Sequence, residues 1–294
     1  MTRSSTALRQ LLKRPGIIHI PIAYDALTAR IAERVGFQCI NLGAYSLGAS
    51  LCVPEPLLCL EDAVGAASRI TAAVTIPLLI DAGAGYGEPA HIVRTVREFE
   101  RAGVAGIRIE DQVFPKRVHY HKGIEHLVPP EVLCDKLRYA LKARTDPDFL
   151  IGARTDAMLT YGFAEGIRRA NLYLEAGADF VAVFPNNLEE ARKAPREING
   201  HVTYINSEGN RLGRPILPLS DLESMGYKMA NDAISAINVA AKSVKDLFET
   251  LKRTGRTGMD QATFIPVRKE IEDTIGLDEY YRIEEETVEN GRER

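Results

Sequence analysis

The chain has 294 residues, of which 45% are hydrophobic and 26% charged, and its formal net charge is −3. This composition is ordinary for a soluble globular protein with a substantial core. Basic and acidic residues are interspersed, so no basic stripe indicates a nucleic-acid or membrane-surface partner. No stretch reaches the roughly 20 apolar residues of a transmembrane helix, and the N-terminus lacks the apolar run of a secretory signal. We therefore expect a cytoplasmic protein.

Short apolar runs typical of buried parallel strands recur along the whole chain. Their positions are 17–23, 39–43, 77–82, 106–111, 149–156, 180–185, 202–206 and, more weakly, 227–232. Segments with helical spacing of apolar residues lie between them, for example 26–35, 61–73, 92–102, 132–144 and 164–176. This alternation of strand and helix predicts parallel βαβ units.

Glycine-containing turns precede several of these strands. They are RVGF (34–37), RAGV (101–104), EAGA (175–178) and SMGY (224–227). Glycine suits the left-handed residue that closes a helix, so each turn predicts a helix end followed at once by a strand. Eight such units favour a closed (β/α)8 barrel of the TIM type, with a doubly wound open sheet as the alternative.

The tail is longer than a barrel needs. We expect residues 1–258 to form the single barrel domain and residues 259–294 to form a helical extension that packs on a neighbouring subunit. The alternative is a frayed, solvated tail. The last residues, VENGRER (288–294), are expected to be disordered.

Polar residues collect where the predicted strands end, which is the catalytic face of an α/β barrel. Glu55, Asp81 and Glu110 would point at one opening, with Arg154 nearby. Neighbouring carboxylates repel each other unless a cation separates them, and a hard divalent ion such as Mg2+, or alternatively Mn2+, suits their oxygens. Arg154 offers a planar fork for a substrate carboxylate. The alternative is a set of salt bridges from the acids to Arg108, Lys116 or Arg154.

Several motifs resemble the isocitrate lyase/phosphoenolpyruvate mutase superfamily, over roughly residues 15 to 255. DAGAGYG resembles its metal loop, and GVAGIRIEDQVFPKR is similar to the fourth strand and the start of the gating loop in isocitrate and methylisocitrate lyases. Three further segments also resemble this superfamily. The five segments are 81–87, 103–117, AYDALTAR at 23–30, GARTDA at 152–157 and RRANLYLEAGAD at 168–179.

The resemblance implies a barrel enzyme that makes or breaks C–C or P–C bonds beside a carboxylate through enolate-like intermediates. It implies Asp81, Glu110 and Glu55 as the magnesium cluster, directly or through water, and Arg154 as the ligand of the substrate carboxylate. It also implies a mobile loop after strand four. A homotetramer with a terminal helix swapped between subunits is the implied assembly.

The chain departs from the family at the gating loop. The lyases carry a cysteine there that protonates the carbanion-like product, and Val118 stands in its place. None of the four cysteines falls in this loop, so the usual thiol route of isocitrate lyase is disfavoured.

Residues expected at the floor of the site also differ from the family motifs. Gly83 stands where the metal loop has its second Asp, and Glu55 replaces a more usual Asp. Gly43-Ala44 stands in place of Ser-Gly after strand two, so a hydroxyl that holds the substrate carboxylate is missing. Candidates to replace it are Asn41, Tyr45 and Ser46. The residues expected to bind substrate are Tyr45, Ser46, Arg154 and, at the end of strand seven, Asn206.

The loop at 118–126, VHYHKGIEH, holds half of the six histidines of the chain. Histidine transfers protons near neutral pH, so this lid could replace the missing thiol. The alternatives are zinc binding or a merely solvated loop. The candidate catalytic residues are Arg154, Lys116, His119, Tyr120 and His121.

Together these features predict a Mg2+-dependent C–C lyase acting on a small 2-hydroxy or 2-oxo dicarboxylate. A decarboxylase of the oxaloacetate type is the close alternative, because it needs no cysteine acid. A phosphonate-directed mutase or hydrolase is disfavoured by the residues after Lys116. A catalytically retired barrel that serves in binding or assembly is the alternative of a different class.

Overall fold

The computed structural model describes residues 3–210 and 212–289. Its strands are β1 (Ile18–Ile20), β2 (Ile40–Leu42), β3 (Leu78–Asp81), β4 (Gly106–Glu110), β5 (Leu150–Arg154), β6 (Phe180–Val183), β7 (Val202–Asn206) and β8 (Met229–Asp232). Each lies within one of the eight apolar runs, so the strand prediction is confirmed.

The first ten helices fit the predicted alternation: one precedes β1, and at least one lies between each pair of successive strands. They are α1 (Ser4–Lys13), α2 (Ala26–Val35), α3 (Ala44–Leu51), α4 (Leu60–Ala73), α5 (Pro89–Arg101), α6 (Pro130–Ala143), α7 (Ala157–Tyr161), α8 (Phe163–Glu175), α9 (Leu188–Glu197) and α10 (Leu219–Met225). Short 3-10 helices lie at Glu55–Leu57 and Val118–Lys122.

All strand pairs are parallel, in the order β1-β8-β7-β6-β5-β4-β3-β2. The two end strands meet where the backbone N–H of Asn41 donates to the carbonyl of Pro21 (3.0 Å) and that of Ala23 donates to the carbonyl of Asn41 (2.8 Å). The sheet is thus a nearly closed (β/α)8 barrel. The predicted TIM barrel is confirmed, and the open doubly wound sheet is excluded.

The glycines of the four predicted turns all have positive φ. At Gly36 (φ 105°) and Gly226 (φ 105°) a left-handed residue ends α2 and α10. Residues with a Cβ are strained in this conformation, so glycine at these positions allows the helix ends to be predicted from the sequence.

Buried apolar side chains close the N-terminal end of the barrel, so the site can form only at the C-terminal end. Leu8, Leu11 and Leu12 of α1 form a buried cluster with residues at the beginnings of strands, among them Leu150 and Phe180. This cluster closes the N-terminal end. The larger apolar cluster fills the layer between strands and helices, so polar side chains collect at the C-terminal ends of the strands.

The chain divides into two compact units, Met1–Ile237 and Asn238–Arg294. The second unit contains most of α11 (Ser235–Thr254), followed by α12 (Gln261–Ile275), α13 (Leu277–Glu284) and a π-helical turn (Glu285–Glu289). Packing of residues 259–294 on a neighbouring subunit stays a prediction. Of the tail expected to be disordered, residues 290–294 lie outside the described residues. No described helix is both long and apolar enough to cross a membrane.

Candidate active site

A cavity of about 630 Å³ opens at the C-terminal ends of the strands. Its lining comes from loops that follow different strands, as catalytic faces of barrels are built. Among the lining residues are Asn41, Tyr45, Glu55, Asp81, Arg108, Tyr120, His121, Glu125, Arg154, Phe184, Ser207, Asn210, Arg214 and Asn231. This volume is in the range of small-molecule sites.

Arg154, at the end of β5, is the centre of the ionic network. Its Nε and Nη2 donate to the two carboxylate oxygens of Asp156 (2.9 and 3.0 Å). Its Nη1 donates to Asp81 Oδ2 (3.0 Å) and lies 3.3 Å from Glu110 Oε2. Nη2 also donates to Tyr120 Oη (3.0 Å). The bidentate bond to Asp156 fixes the plane of the guanidinium, so its other edge faces the acids.

Asp81, at the end of β3, lies between two guanidinium groups. Arg108 Nη2 donates to its Oδ2 at 2.8 Å, beside the bond from Arg154. Burial raises the pKa of Asp81, but the charges of Arg108 and Arg154 outweigh burial and hold that pKa well below its usual range. Asp81 is therefore ionised at neutral pH.

Lys116 bridges the other two acids. Its Nζ lies 2.5 Å from Glu55 Oε1 and 3.0 Å from Glu110 Oε1. Burial raises the pKa of Glu110 to about 7, against the opposing charges of Lys116 and Arg154. The same two acids, Glu110 and Glu55, raise the pKa of Lys116 in spite of its burial. The structure thus has the salt-bridged arrangement that was the alternative to a metal cluster.

The donor set fits an ion held mostly through water. Among the described residues no three His, Cys, Asp or Glu side chains converge as a ready ligand group. Buried Glu110 Oε1, however, has the ammonium of Lys116 3.0 Å away but accepts no hydrogen bond of suitable angle, and a Cβ on Gly83 would lie 3.8 Å from it. Carboxylate oxygens with room for water suit Mg2+, which keeps several waters.

The loop after β4 carries the candidate lid. Tyr120 is half-buried against the site, with Lys116 Nζ 3.9 Å from its ring centroid. His121 Nε2 lies 3.9 Å from Glu55 Oε2, and its ring lies 5.9 Å from that of Tyr45. His119 is exposed and does not line the cavity. Of the predicted lid residues, Tyr120 and His121 therefore face the site.

The predicted substrate-binding residues separate into two groups. Tyr45 and Arg154 line the cavity. Ser46 is fully buried and donates to the carbonyl of Ala233 (3.4 Å), and Asn206 brackets the backbone of Leu217 with both ends of its carboxamide. Neither lines the cavity, because each is committed to holding a loop.

Sequence reasoning missed Arg214, Phe184 and Asn231 as lining residues. Phe184 and Asn231 are each the last residue but one of a predicted strand, so strand-end position was the available signal. Arg214 lies eight residues past the end of β7, where no periodic pattern places a side chain.

The family model for phosphoenolpyruvate phosphomutase matches residues 8–252. The chain belongs to this family. It is 35% identical to 2,3-dimethylmalate lyase of Eubacterium barkeri over 284 residues, which cover 96% of this chain and 97% of that protein. It is 33% identical to 2-methylisocitrate lyase of Aeropyrum pernix, with 100% and 94% covered. The solved structure of phosphonopyruvate hydrolase with oxalate and Mg2+ superimposes with a TM-score of 0.85 at 27% identity, covering 98% and 99% of the two chains.

These similarities confirm the superfamily inferred from the motifs, and they make the chain an enzyme of a superfamily of lyases and mutases. The names of these relatives state small organic acids as substrates: 2,3-dimethylmalate, 2-methylisocitrate and phosphonopyruvate.

Proposed function

We propose that this protein is a Mg2+-dependent carbon–carbon lyase acting on a small 2-hydroxy or 2-oxo dicarboxylic acid through an enolate-like intermediate. The observation that supports it most is the convergence of Asp81, Glu110 and Arg154 in one ionic network beside the cavity. A retired barrel has no reason to keep three such groups together, since burying charges costs free energy.

Asp81 would hold the metal ion, and Glu110 and Glu55 would hold its water shell. When bound, the ion supplies positive charge beside the α-oxygen and the carboxylate, where negative charge develops as the bond breaks. Mn2+ accepts the same oxygen ligands and could replace Mg2+.

Arg154 binds and orients a substrate carboxylate. Asp156 already fixes its plane, so little conformational freedom remains to be lost on binding. Tyr120 Oη now takes a hydrogen bond from Nη2. A carboxylate at this edge would compete with Tyr120, so the lid must shift as substrate enters.

Tyr120 is the lid group best placed to carry a proton. Burial raises the pKa of its hydroxyl, which therefore stays protonated at neutral pH. A hydroxyl above Arg154 can donate its proton to a carbanion-like product, which Val118 cannot do. His121, beside Glu55, is the second lid group with access to the cavity. Closure of Val118–Lys122 would also exclude water from the intermediate.

The direct test is turnover of a panel of 2-hydroxy and 2-oxo diacids with Mg2+, followed by NMR of the products. From a 2-hydroxy diacid we expect cleavage to a 2-oxo acid and a second carboxylic acid, and loss of activity with a chelator. Asp81→Asn should lower kcat/KM by roughly a hundredfold or more, since it removes charge that stabilises the transition state.

Asp135→Asn is the matched control, because Asp135 is an exposed acid on α6. Full metal-dependent turnover by Asp81→Asn would contradict the proposal. Release of CO2 from 2-oxo diacids as the sole reaction would instead favour the oxaloacetate-type decarboxylase.

A further inference from the structure

Arg214 is a second guanidinium on the wall of the cavity. It lies in the loop between β7 and α10, and its Cζ is 4.8 Å from the ring centroid of Phe184. Arg154 Cζ lies over the same ring at 4.7 Å. Both arginines line the cavity. One aromatic ring therefore contacts both cations, and both guanidinium groups border the same cavity.

Arg214 differs from the three cations of the ionic network, Arg108, Lys116 and Arg154, in its lack of a counter-charge. Arg108, Lys116 and Arg154 each contact at least one carboxylate. Among residues 3–210 and 212–289, Arg214 forms no ion pair, although Glu125 lines the same cavity.

The polar atoms of the Arg214 guanidinium are also poorly satisfied. Its Nη1 donates only a long hydrogen bond to the carbonyl of Ile205 (3.4 Å), and its Nε is buried without a partner. A partly buried cation without an anion is costly, and an anionic ligand would relieve that cost.

The backbone of Arg214 is held in place before any ligand binds. Asn210 Oδ1 accepts from the N–H of Arg214 (2.9 Å), and Asn210 Nδ2 donates to the carbonyl of Arg214 (3.1 Å). One residue on, Tyr204 Oη donates to the carbonyl of Pro215 (2.6 Å). This bracing lowers the entropy cost of using the side chain for recognition.

We propose that Arg214 binds the second carboxylate of the substrate, the one remote from the metal, and so selects dicarboxylic over monocarboxylic acids. The inference rests on the proposed function, since it assigns the first carboxylate to Arg154 and the metal. Both guanidinium groups border the cavity, so each can take one carboxylate. Arg214 is thus a specificity-determining residue, and it takes no part in bond cleavage.

Calorimetric titration with Mg2+ present tests this inference with three kinds of probe. Oxalate is too short to reach past the metal end of the site. Malate and 2-hydroxyglutarate carry a distal carboxylate, and 2-hydroxybutyrate and 2-hydroxypentanoate carry a methyl group in its place. The measured quantity is the ratio of Kd values within each diacid–monoacid pair.

We expect Arg214→Gln to reduce the preference for diacids by roughly 10- to 100-fold, as loss of a charged hydrogen-bonding partner would. Oxalate should bind wild type and variant alike, which also shows that the variant is folded. Arg214→Lys should retain part of the preference, because it keeps the charge without the fork. Arg192→Gln, an exposed arginine on α9, is the control and should leave every Kd unchanged.

An unchanged diacid preference in Arg214→Gln, with oxalate binding kept, would overturn the inference and leave the proposed function standing. If Arg214→Gln loses oxalate binding, Arg214→Lys decides: an undiminished preference in that variant also overturns the inference. Failure of the wild type to bind oxalate or any diacid would refute the proposed function, and this inference with it.

Discussion

Tyr120 shows how one residue links the lid to the floor of the site. Its hydroxyl accepts from Arg154 Nη2 (3.0 Å), and its ring lies under the ammonium of Lys116. The same side chain thus contacts the group that we assign to the substrate carboxylate and the group that bridges Glu55 and Glu110. A movement of the lid that displaces Tyr120 would therefore change the contacts of both Arg154 and Lys116.

Tyr120→Phe removes the hydroxyl and keeps the ring. If this hydroxyl donates the product proton, we expect kcat to fall by roughly 10²- to 10⁴-fold, while KM stays the same or falls, because substrate no longer competes with Oη for Arg154. Steady-state kinetics with Tyr139→Phe, an exposed tyrosine on α6, as control checks this. An unchanged kcat would show that the Tyr120 hydroxyl does not donate the product proton.

At the scale of elements, a buried network joins the ends of β4 and β5 to α8. Asp111 accepts from Thr155 Oγ1 (2.7 Å), Tyr173 Oη (3.0 Å) and Arg169 Nη1 (3.1 Å). Glu165, in the first turn of α8, in turn accepts from Arg169 Nε (2.9 Å). These bonds hold the loop that contains Asp156, and so the plane of the Arg154 guanidinium.

Glu165 makes this network sensitive to acid. Hydrogen bonds from Arg168 and Arg169 lower the pKa of Glu165 to about 2. Because the folded pKa is below the unfolded one, its stabilisation is complete above about pH 4.5 and is lost as pH falls towards 2. Glu165→Gln should therefore lower the free energy of unfolding by about 1 kcal/mol at pH 7, a value reduced for solvent screening.

Urea unfolding of wild type and Glu165→Gln between pH 7 and pH 3 measures this effect. The difference between the two proteins should shrink below pH 4.5. Glu175→Gln, at the exposed C-terminal end of the same helix, should change stability by only a few tenths of a kcal/mol. A difference that stays constant with pH would mean that the Glu165 carboxylate charge is not what stabilises the helix.

At the scale of the whole molecule, the C-terminal unit exposes many apolar side chains. Ile271 and Ile275, one turn apart on α12, are 44% and 59% exposed, and Phe248 on α11 is 62% exposed. Contiguous exposed apolar surface marks interaction sites. It supports the proposal that this unit packs on a neighbouring subunit in a homo-oligomer, with a tetramer of helix-swapped dimers as the assembly that the family resemblance implies.

A double variant, Ile271→Glu with Ile275→Glu, should shift the protein to smaller species in sedimentation velocity, since it places two charges in the interface. Gln261→Glu, an exposed position on the same helix, adds negative charge outside the apolar stripe and should leave the assembly intact. An oligomer unaffected by the double variant would exclude this face of α12 from the interface.

The sequence by itself determined the barrel and the position of the acidic residues at strand ends. Both follow from local patterns, the apolar runs and the glycine turns, because strand direction alone decides which end of a parallel sheet carries Asp81, Glu110 and Arg154. The family followed from the same segments.

Only the tertiary structure decided which groups touch. Lys116 bridges Glu55 and Glu110 across 61 and six positions of chain, and no periodicity predicts such a contact. Ser46 and Asn206, which we predicted to bind substrate, instead donate hydrogen bonds to loop carbonyls. Buried polar groups need hydrogen-bond partners, and the tertiary structure decides which partners are within reach. Arg214 was not a candidate from the sequence, and the structure places it in the site. Hydrogen bonds hold the loop after β7 so that the Arg214 guanidinium lies over Phe184 without a carboxylate partner.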